Sequence, residues 1–134
     1  MPDFILDCNH LSNAIRKHSV LRDRIRLERR TDRRFVTIMP ILCELQAGIQ
    51  QTSHPADNQL RLTQLLRLVR VWPVDLETAE IYGASHIELR RKGRVLSQVD
   101  MMIAALARQH KLVVLTTDRD FEALTDLRLE NWVE

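Results

Sequence analysis

The chain has 134 residues, of which 45% are hydrophobic and 28% are charged, and its formal net charge is +2. This length suits one ordinary domain with a real core, so we expect a single domain over residues 1–134. No apolar run reaches the roughly 18–20 residues of a membrane span, and the first residues do not resemble a secretory signal, so we expect a cytoplasmic protein.

The first part of the chain predicts two strands that alternate with helices. Residues 4–6 are apolar and are followed by an acid, as in a buried parallel strand. Helical spacing follows, with a break near residues 18–19. Residues 35–38 predict a second strand, after which Pro40 suits the first turn of a helix that ends near Gly48.

The middle of the chain predicts a helix, a strand and a second helix. Asp57 is a credible cap for a long helix that continues to residue 69. Residues 71–74 predict a short third strand, and Pro73 places it at a sheet edge or a strand end. Asp75 suits the cap of the next helix, which stops at Gly93.

The last part of the chain predicts an interior helix and the remaining strands. The helix runs from residue 97 or 98 to residue 110, and residues 112–115 form a strand. A short helix over residues 119–124 precedes a possible fifth strand at 127–129, and Trp132 closes over the core. Strands that alternate with helices predict a three-layer α/β/α sandwich with a central parallel sheet of four or five strands.

Four acidic residues lie where predicted strands end or where the following helices begin. They are Asp7, Glu44, Asp100 and Asp118. In a parallel sheet such positions converge on one crevice beyond the carboxyl ends of the strands. Crowded carboxylates repel one another, and a divalent cation relieves the repulsion, with Mg²⁺ or Mn²⁺ suited to oxygen ligands. Such a site is typical of enzymes that activate water against a phosphodiester.

Each of these positions also has a purely structural interpretation. Asn9 could hydrogen-bond a ligand, or it could simply cap the helix that follows Asp7. Glu44 could face the site or be an exposed helix position, and Asp100 in a first helical turn also complements the helix dipole. Asp118 is nearer the strand end than Asp120, and the sequence does not decide which of the two serves the site.

Two basic clusters could track a phosphate backbone, or they could be solvated helix faces. Residues 16–34 contain nine Lys or Arg against three acids, and residues 90–94 contain four more basic residues. Cys8 and Cys43 match no zinc spacing, and buried inert thiols are the favoured interpretation. His10 is expected at the surface, and Phe121 is expected to fill the core.

The chain resembles a PIN-domain ribonuclease of the VapC toxin type. The usual order of that family's motifs is matched from end to end, although no single motif is specific. The matching segments are FILDCN (4–9), LCELQAG (42–48), ELRRKGR (88–94), DMMIAA (100–105), TTDRDF (116–121) and LRLENW (127–132). Three departures are Cys8 where the family usually has Thr, Gln98 where many relatives have an acid, and the unusually arginine-rich stretch 26–34.

The resemblance implies an endoribonuclease that depends on Mg²⁺ or Mn²⁺ and is the toxin of a toxin–antitoxin pair. It also implies a homodimer, a small antitoxin that covers the active-site side, and structured RNA such as tRNA as the target. The four acids map onto the family's acidic set and Asn9 onto its polar companion, with Asp7 and Asp100 expected to hold the main ion. A catalytically silent PIN-like module that only binds RNA, or acts as a scaffold, is the alternative.

Overall fold

The computed structural model describes residues 2–133. Over these residues five strands alternate with six α-helices and one 3₁₀ helix. The strands are β1 (Phe4–Leu6), β2 (Phe35–Thr37), β3 (Val69–Val71), β4 (Val113–Leu115) and β5 (Arg128–Glu130). The helices are α1 (Cys8–Ala14), α2 (Val20–Arg29), α3 (Met39–Gln50), α4 (Pro55–Leu65), α5 (Leu76–Arg91) and α6 (Gln98–His110), and the 3₁₀ helix is Arg119–Ala123.

The strands form one parallel sheet in the order β3-β2-β1-β4-β5. Phe4 of β1 pairs with Phe35 of β2 on one side and with Val113 of β4 on the other. Helix α1 packs against α2 and α3, while α5 and α6 pack against each other. The predicted three-layer sandwich is confirmed, with five strands rather than four.

Because all strands run in the same direction, their carboxyl ends meet at one edge of the sheet. Backbone hydrogen bonds extend the ladders into the segments that follow. The N–H of Asp7 donates to the carbonyl of Leu115 at 3.1 Å, and the N–H of Thr116 donates to the carbonyl of Glu130 at 3.0 Å. The segments after β1 and β4 are therefore held side by side.

An aromatic cluster closes one side of the core. The rings of Phe4 and Phe35 stack at 5.1 Å between centroids, and the ring of Trp132 lies 4.9 Å from that of Phe4. Trp132 and Phe121 are both buried, so the predictions that they close and fill the core are confirmed. The segment after β5 therefore returns across the sheet and is anchored in the hydrophobic interior.

The third strand lies two residues earlier than predicted. Helix α4 ends at Leu65, where turn hydrogen bonds close the helix, and β3 is Val69–Val71 rather than 71–74. Val69 and Val71 pair with β2, whereas Pro73 has no N–H to donate and falls outside the strand. The same helix begins at Pro55, whose fixed φ suits the first turn, and Asp57 lies within that turn instead of capping it.

Smaller differences affect the other boundaries. β2 stops at Thr37, because Ile38 is already the residue that precedes α3. β5 is shifted by one residue to Arg128–Glu130, and the last short helix is a 3₁₀ helix. Among residues 2–133, no helix has the length and hydropathy of a bilayer span.

Candidate active site

The carboxylate of Asp7 lies at the carboxyl end of β1, where it caps α1. It is buried, and its Oδ1 accepts a hydrogen bond from the backbone N–H of His10 at 2.8 Å. Its Oδ2 accepts a hydrogen bond from the hydroxyl of Thr116, directly after β4, at 2.6 Å. The carboxylate is thus oriented by hydrogen bonds from α1 and from the residue that follows β4.

These hydrogen bonds decide the protonation state of Asp7. Burial raises the pKa of this carboxyl, but the hydrogen bonds from His10 and Thr116 together outweigh burial, so the pKa lies below its ordinary value. Asp7 is therefore ionised at neutral pH, as a cation ligand must be.

Asp118 lies on the neighbouring loop and is connected to Asp7 through one hydroxyl. The oxygen of Thr116 that donates to Asp7 also accepts the backbone N–H of Asp118 at 2.9 Å. Asp118 in turn caps the 3₁₀ helix by accepting the N–H of Asp120 at 2.8 Å. Asp120 itself is exposed. Sequence reasoning missed Thr116, although a polar residue directly after a buried strand was the available signal.

Asp100 lies in the first turn of α6 and is half-buried. Its backbone N–H donates to the hydroxyl of Ser97, which caps the helix, at 3.1 Å. Burial raises the pKa of Asp100, and the negative charges of Asp118, Asp7 and Glu44 raise it further. These three carboxylates are therefore close enough to Asp100 to act on it electrostatically.

Glu44 is exposed on α3, as an exposed helix position would be. It nevertheless faces the same region, because its charge contributes to the raised pKa of both Asp100 and Cys8. The helix on which it lies begins directly after β2. The four predicted acids thus reach one region from four separate segments of the chain.

Lys and Arg side chains form ion pairs mainly with carboxylates outside this region. Within residues 2–133, ion pairs join them to Asp3, Asp23, Glu28, Glu88, Glu122, Asp126 and Glu130. The described side chains also include no group of three or more His, Cys, Asp or Glu arranged to hold one metal ion. The structure therefore shows an electrostatic cluster of oxygen donors, whose chemistry fits Mg²⁺ or Mn²⁺, rather than a closed ligand cage.

Asn9 does not cap α1, because Asp7 occupies the cap position. The Asn9 side-chain amide instead donates to the hydroxyl of Thr117 at 3.2 Å and so ties α1 to the loop after β4. Asn9 also lines a cavity of about 350 Å³ together with Glu44 and Arg16.

Two expectations about neighbouring residues are wrong. His10 is fully buried rather than at the surface, because it lies on the face of α1 that packs onto the returning segment at Trp132. Cys43 is exposed and Cys8 is only partly buried, so neither is a fully buried thiol. Burial and the charges of Glu44 and Asp7 raise the pKa of Cys8, which keeps the thiol protonated and poorly reactive.

The residues of the two basic clusters line separate surfaces of the molecule. Arg16 lines the cavity beside Glu44, and Arg90 and Arg94 line a cavity of about 460 Å³ at the start of α6. The later part of the first cluster is different: Arg34 directly precedes β2 and pairs with Asp3 before β1 at 2.7 Å.

Arg29, Arg33 and Arg34 line a cavity of about 290 Å³ that also contacts Arg70. This cavity lies at the amino ends of the strands, opposite the acidic cluster. The later part of the stretch 16–34 therefore lies on the opposite edge of the sheet from the acidic cluster.

Residues 4–127 match the PIN domain family, and the chain belongs to that family. It is 31% identical over 134 residues to the tRNA(fMet)-specific endonuclease VapC of Salmonella typhimurium strain LT2, covering 98% of this chain and 99% of the relative. Within the family its similarity is to the VapC group, as the sequence motifs predicted.

Solved structures agree with this assignment. The DNA-bound VapBC complex of Salmonella typhimurium contains a chain that matches with a TM-score of 0.82 at 30% identity, covering 98% of this chain and 99% of that one. The VapBC2 complex of Rickettsia felis, bound to a promoter DNA fragment, contains one that matches with a TM-score of 0.85 at 25% identity, covering 96% and 98%.

Proposed function

We propose that this protein is a metal-dependent endoribonuclease and the toxin of a toxin–antitoxin pair. It would hydrolyse phosphodiester bonds in RNA with Mg²⁺ or Mn²⁺ held by the acidic cluster. The observation that carries the proposal is the placement of Asp7 and Asp118 at the carboxyl edge of the sheet, where the hydroxyl of Thr116 joins them and where the charges of both, with that of Glu44, act on Asp100.

The structure supports distinct roles for these carboxylates. Asp7 is ionised and oriented by two hydrogen-bonded partners, which suits the main cation ligand. Asp100 would be the second ligand, because a bound cation offsets the repulsion that raises its pKa. Glu44 and Asp118 would complete or orient the coordination shell, directly or through water. We propose Asp118 rather than Asp120 as the fourth acid, because the hydroxyl of Thr116 links its backbone to Asp7 and its charge raises the pKa of Asp100.

A divalent cation at this position would activate water and stabilise negative charge on the phosphate. The protein's own contribution is to hold the ligands and to position the RNA. Asn9 lies at the rim of the cluster, where its amide can reach a phosphate oxygen or a water molecule. Arg16 lines the cavity beside Glu44, and Arg90 and Arg94 line the cavity at the start of α6, where these side chains would bind the flanking phosphates.

The relatives suggest the substrate and the partners. The Salmonella relative is named as specific for tRNA(fMet), so we propose structured RNA such as tRNA as the substrate here. The VapBC structures contain both toxin and antitoxin, so we also propose a small antitoxin that covers the active-site side. A homodimer and a cytoplasmic location complete the proposal.

Cleavage of total tRNA tests the proposal directly. The purified protein should cleave tRNA with Mn²⁺ or Mg²⁺ and should lose the activity in EDTA. Asp7→Asn should lower kcat/KM by about a thousandfold or more, since a cation ligand contributes several kcal/mol to transition-state stabilisation. Asp120→Asn is the matched control and should retain the parent activity.

Two outcomes would contradict the proposal. Cleavage by Asp7→Asn at the parent rate would remove Asp7 from the site. Retained RNA binding without any metal-dependent cleavage by the unmodified protein would favour the silent RNA-binding module instead.

A further inference from the structure

His10 is a fully buried residue beside the proposed metal site, and the contact of its imidazole with Trp132 has no role in the function proposed above. Its Nδ1 lies 3.2 Å from Oδ1 of Asp7, and its Nε2 lies 3.1 Å from the backbone nitrogen of Trp132. We propose that His10 is a positioning residue: the hydrogen bond from Trp132 fixes the tautomer of its ring, and its Nδ1–H orients the Asp7 carboxylate. This inference rests on the proposed metal-dependent function.

The hydrogen bond from Trp132 determines which ring nitrogen of His10 carries the proton. A backbone N–H can only donate, so Nε2 of His10 must be the unprotonated acceptor. In the neutral ring the proton then lies on Nδ1, which donates it to Oδ1 of Asp7. The ring of His10 thus accepts a hydrogen bond from the backbone of Trp132 and donates one to the carboxylate of Asp7.

Trp132, which donates to His10, is held in place by several contacts. The indole of Trp132 packs against the rings of Phe4 and Phe35, and the guanidinium of Arg24 lies 3.6 Å above the indole centroid. The indole N–H also donates to Glu130 at 3.0 Å. The position of the Trp132 backbone, and through it the ring of His10, is therefore fixed by the core.

The hydrogen bonds to Asp7 leave its carboxylate able to bind a cation. Oδ1 of Asp7 receives the two hydrogen bonds from His10, and Oδ2 receives one from Thr116. Oδ2 therefore keeps a lone pair for a metal ion. Partners that orient a ligating carboxylate in this way typically change metal affinity or activity about 10- to 100-fold when they are removed.

The tautomer of His10 can be measured without any metal. Long-range ¹H–¹⁵N correlation spectra of the ¹⁵N-labelled, metal-free protein should show His10 protonated at Nδ1 and unprotonated at Nε2. A ring protonated at Nε2 would overturn the proposal, because Nδ1 could then not donate to Asp7. This readout does not depend on activity and needs no variant.

Two substitutions separate the hydrogen bond to Asp7 from the hydrogen bond to Trp132. His10→Asn retains a donor near the position of Nδ1 but loses the acceptor for Trp132. His10→Gln places its amide near the position of Nε2, so it retains the acceptor but loses the donor to Asp7. We expect His10→Gln to weaken Mn²⁺ binding, measured by isothermal titration calorimetry, by about tenfold. His10→Asn should stay within about threefold of the parent affinity while showing the lower Tm of the two.

A role confined to stability predicts a different ordering. Mn²⁺ affinity would then follow Tm, and His10→Asn would bind the ion more weakly than His10→Gln, which would overturn the proposal. The same two variants should separate in RNA cleavage, with a loss in kcat rather than in KM for His10→Gln. If the unmodified protein bound Mn²⁺ but cleaved no RNA, the proposed function would fail, while the tautomer and the affinities would still decide the role of His10.

Discussion

Thr116 connects two of the proposed ligands through a single hydroxyl. It donates to Oδ2 of Asp7 at 2.6 Å and accepts the backbone N–H of Asp118 at 2.9 Å. The side chain is buried, so water cannot replace either hydrogen bond. The relative positions of the two carboxylates therefore depend on this residue.

We predict that Thr116→Val lowers kcat/KM for RNA cleavage by about 10- to 100-fold while the protein remains folded. Valine has nearly the same shape, so the change removes the two hydrogen bonds and little packing. Thr117→Val is the matched control, because Thr117 is exposed and contacts only the Asn9 amide among the groups of the site. Equal activity of the two variants would show that Thr116 does not organise the site.

For single residues, the sequence identified candidate site residues better than it predicted whether a side chain is buried. Asp7 and Asp118 were identifiable because each follows a buried apolar strand. The burial of His10 could not be predicted, because it depends on the return of Trp132 across the sheet, a contact between residues 122 positions apart. The four acids as ligands of one ion remain a prediction.

At the scale of helices and strands, Arg108 of α6 joins three segments of the molecule. Its guanidinium contacts Glu88 of α5 at 3.0 Å, the hydroxyl of Ser85 at 2.9 Å, and Asp126 in the turn before β5 at 2.6 Å. Arg108 is 16% exposed, so solvent screens this network only partly. The network holds α5 and α6 against each other and against the turn before β5.

This network should make stability depend on pH in the acidic range. Burial raises the pKa of Glu88 and of Asp126, but the hydrogen bonds from Arg108 outweigh it and lower both below their ordinary values of 4.5 and 3.8. Lowered folded-state values mean that the stabilisation is fully present above those ordinary values. It is lost as the pH falls through the lowered values.

We predict that Arg108→Met lowers the free energy of unfolding by about 1 kcal/mol at pH 7, after allowance for the exposure of its partners. Urea unfolding of the parent and the variant should show the difference shrinking as the pH falls below about 4. Arg26→Met removes an exposed ion pair with Asp23 and should change stability little. A difference for Arg108→Met that is independent of pH would contradict the assigned role of the two carboxylates.

The elements were predictable where the pattern is strong and uncertain where strands are short. The interior helix α6 and strand β4 match the sequence pattern closely, because continuous apolar runs leave few alternatives. The third strand was misplaced because both 69–71 and 71–74 contain valines, and only pairing with β2 selects the first. A pairing partner from another part of the chain cannot be read from local periodicity.

On the scale of the whole molecule, charge is divided between the two edges of the sheet. The acidic cluster lies at the carboxyl edge, where Arg16 lines a cavity with Glu44, while Arg90 and Arg94 line a cavity with Gln98 at the start of α6. A separate arginine-rich surface lies at the amino edge. The linear sequence does not reveal this division, because residues 16–34 run from one edge to the other.

We predict that only the arginines near the acidic cluster contribute to substrate binding. In an Asp7→Asn background, Arg90→Ala with Arg94→Ala should weaken tRNA binding severalfold and reduce the slope of its salt dependence by about one for each phosphate that is no longer bound. Arg29→Ala with Arg70→Ala removes the same charge from the amino edge and should leave tRNA affinity unchanged. The affinities would be measured by fluorescence anisotropy over a range of salt concentrations. If both pairs of substitutions weakened tRNA binding equally, RNA binding would not depend on which edge of the sheet the arginines occupy.

The central claim is that carboxylates from four segments form a site for a divalent cation, and Mn²⁺ titration by isothermal calorimetry tests it most directly. The unmodified protein should bind Mn²⁺, Asp100→Asn should lose most of that affinity, and Asp120→Asn should bind as the unmodified protein does. Equal binding by Asp100→Asn and the unmodified protein, or no binding by either at millimolar Mn²⁺, would contradict the account.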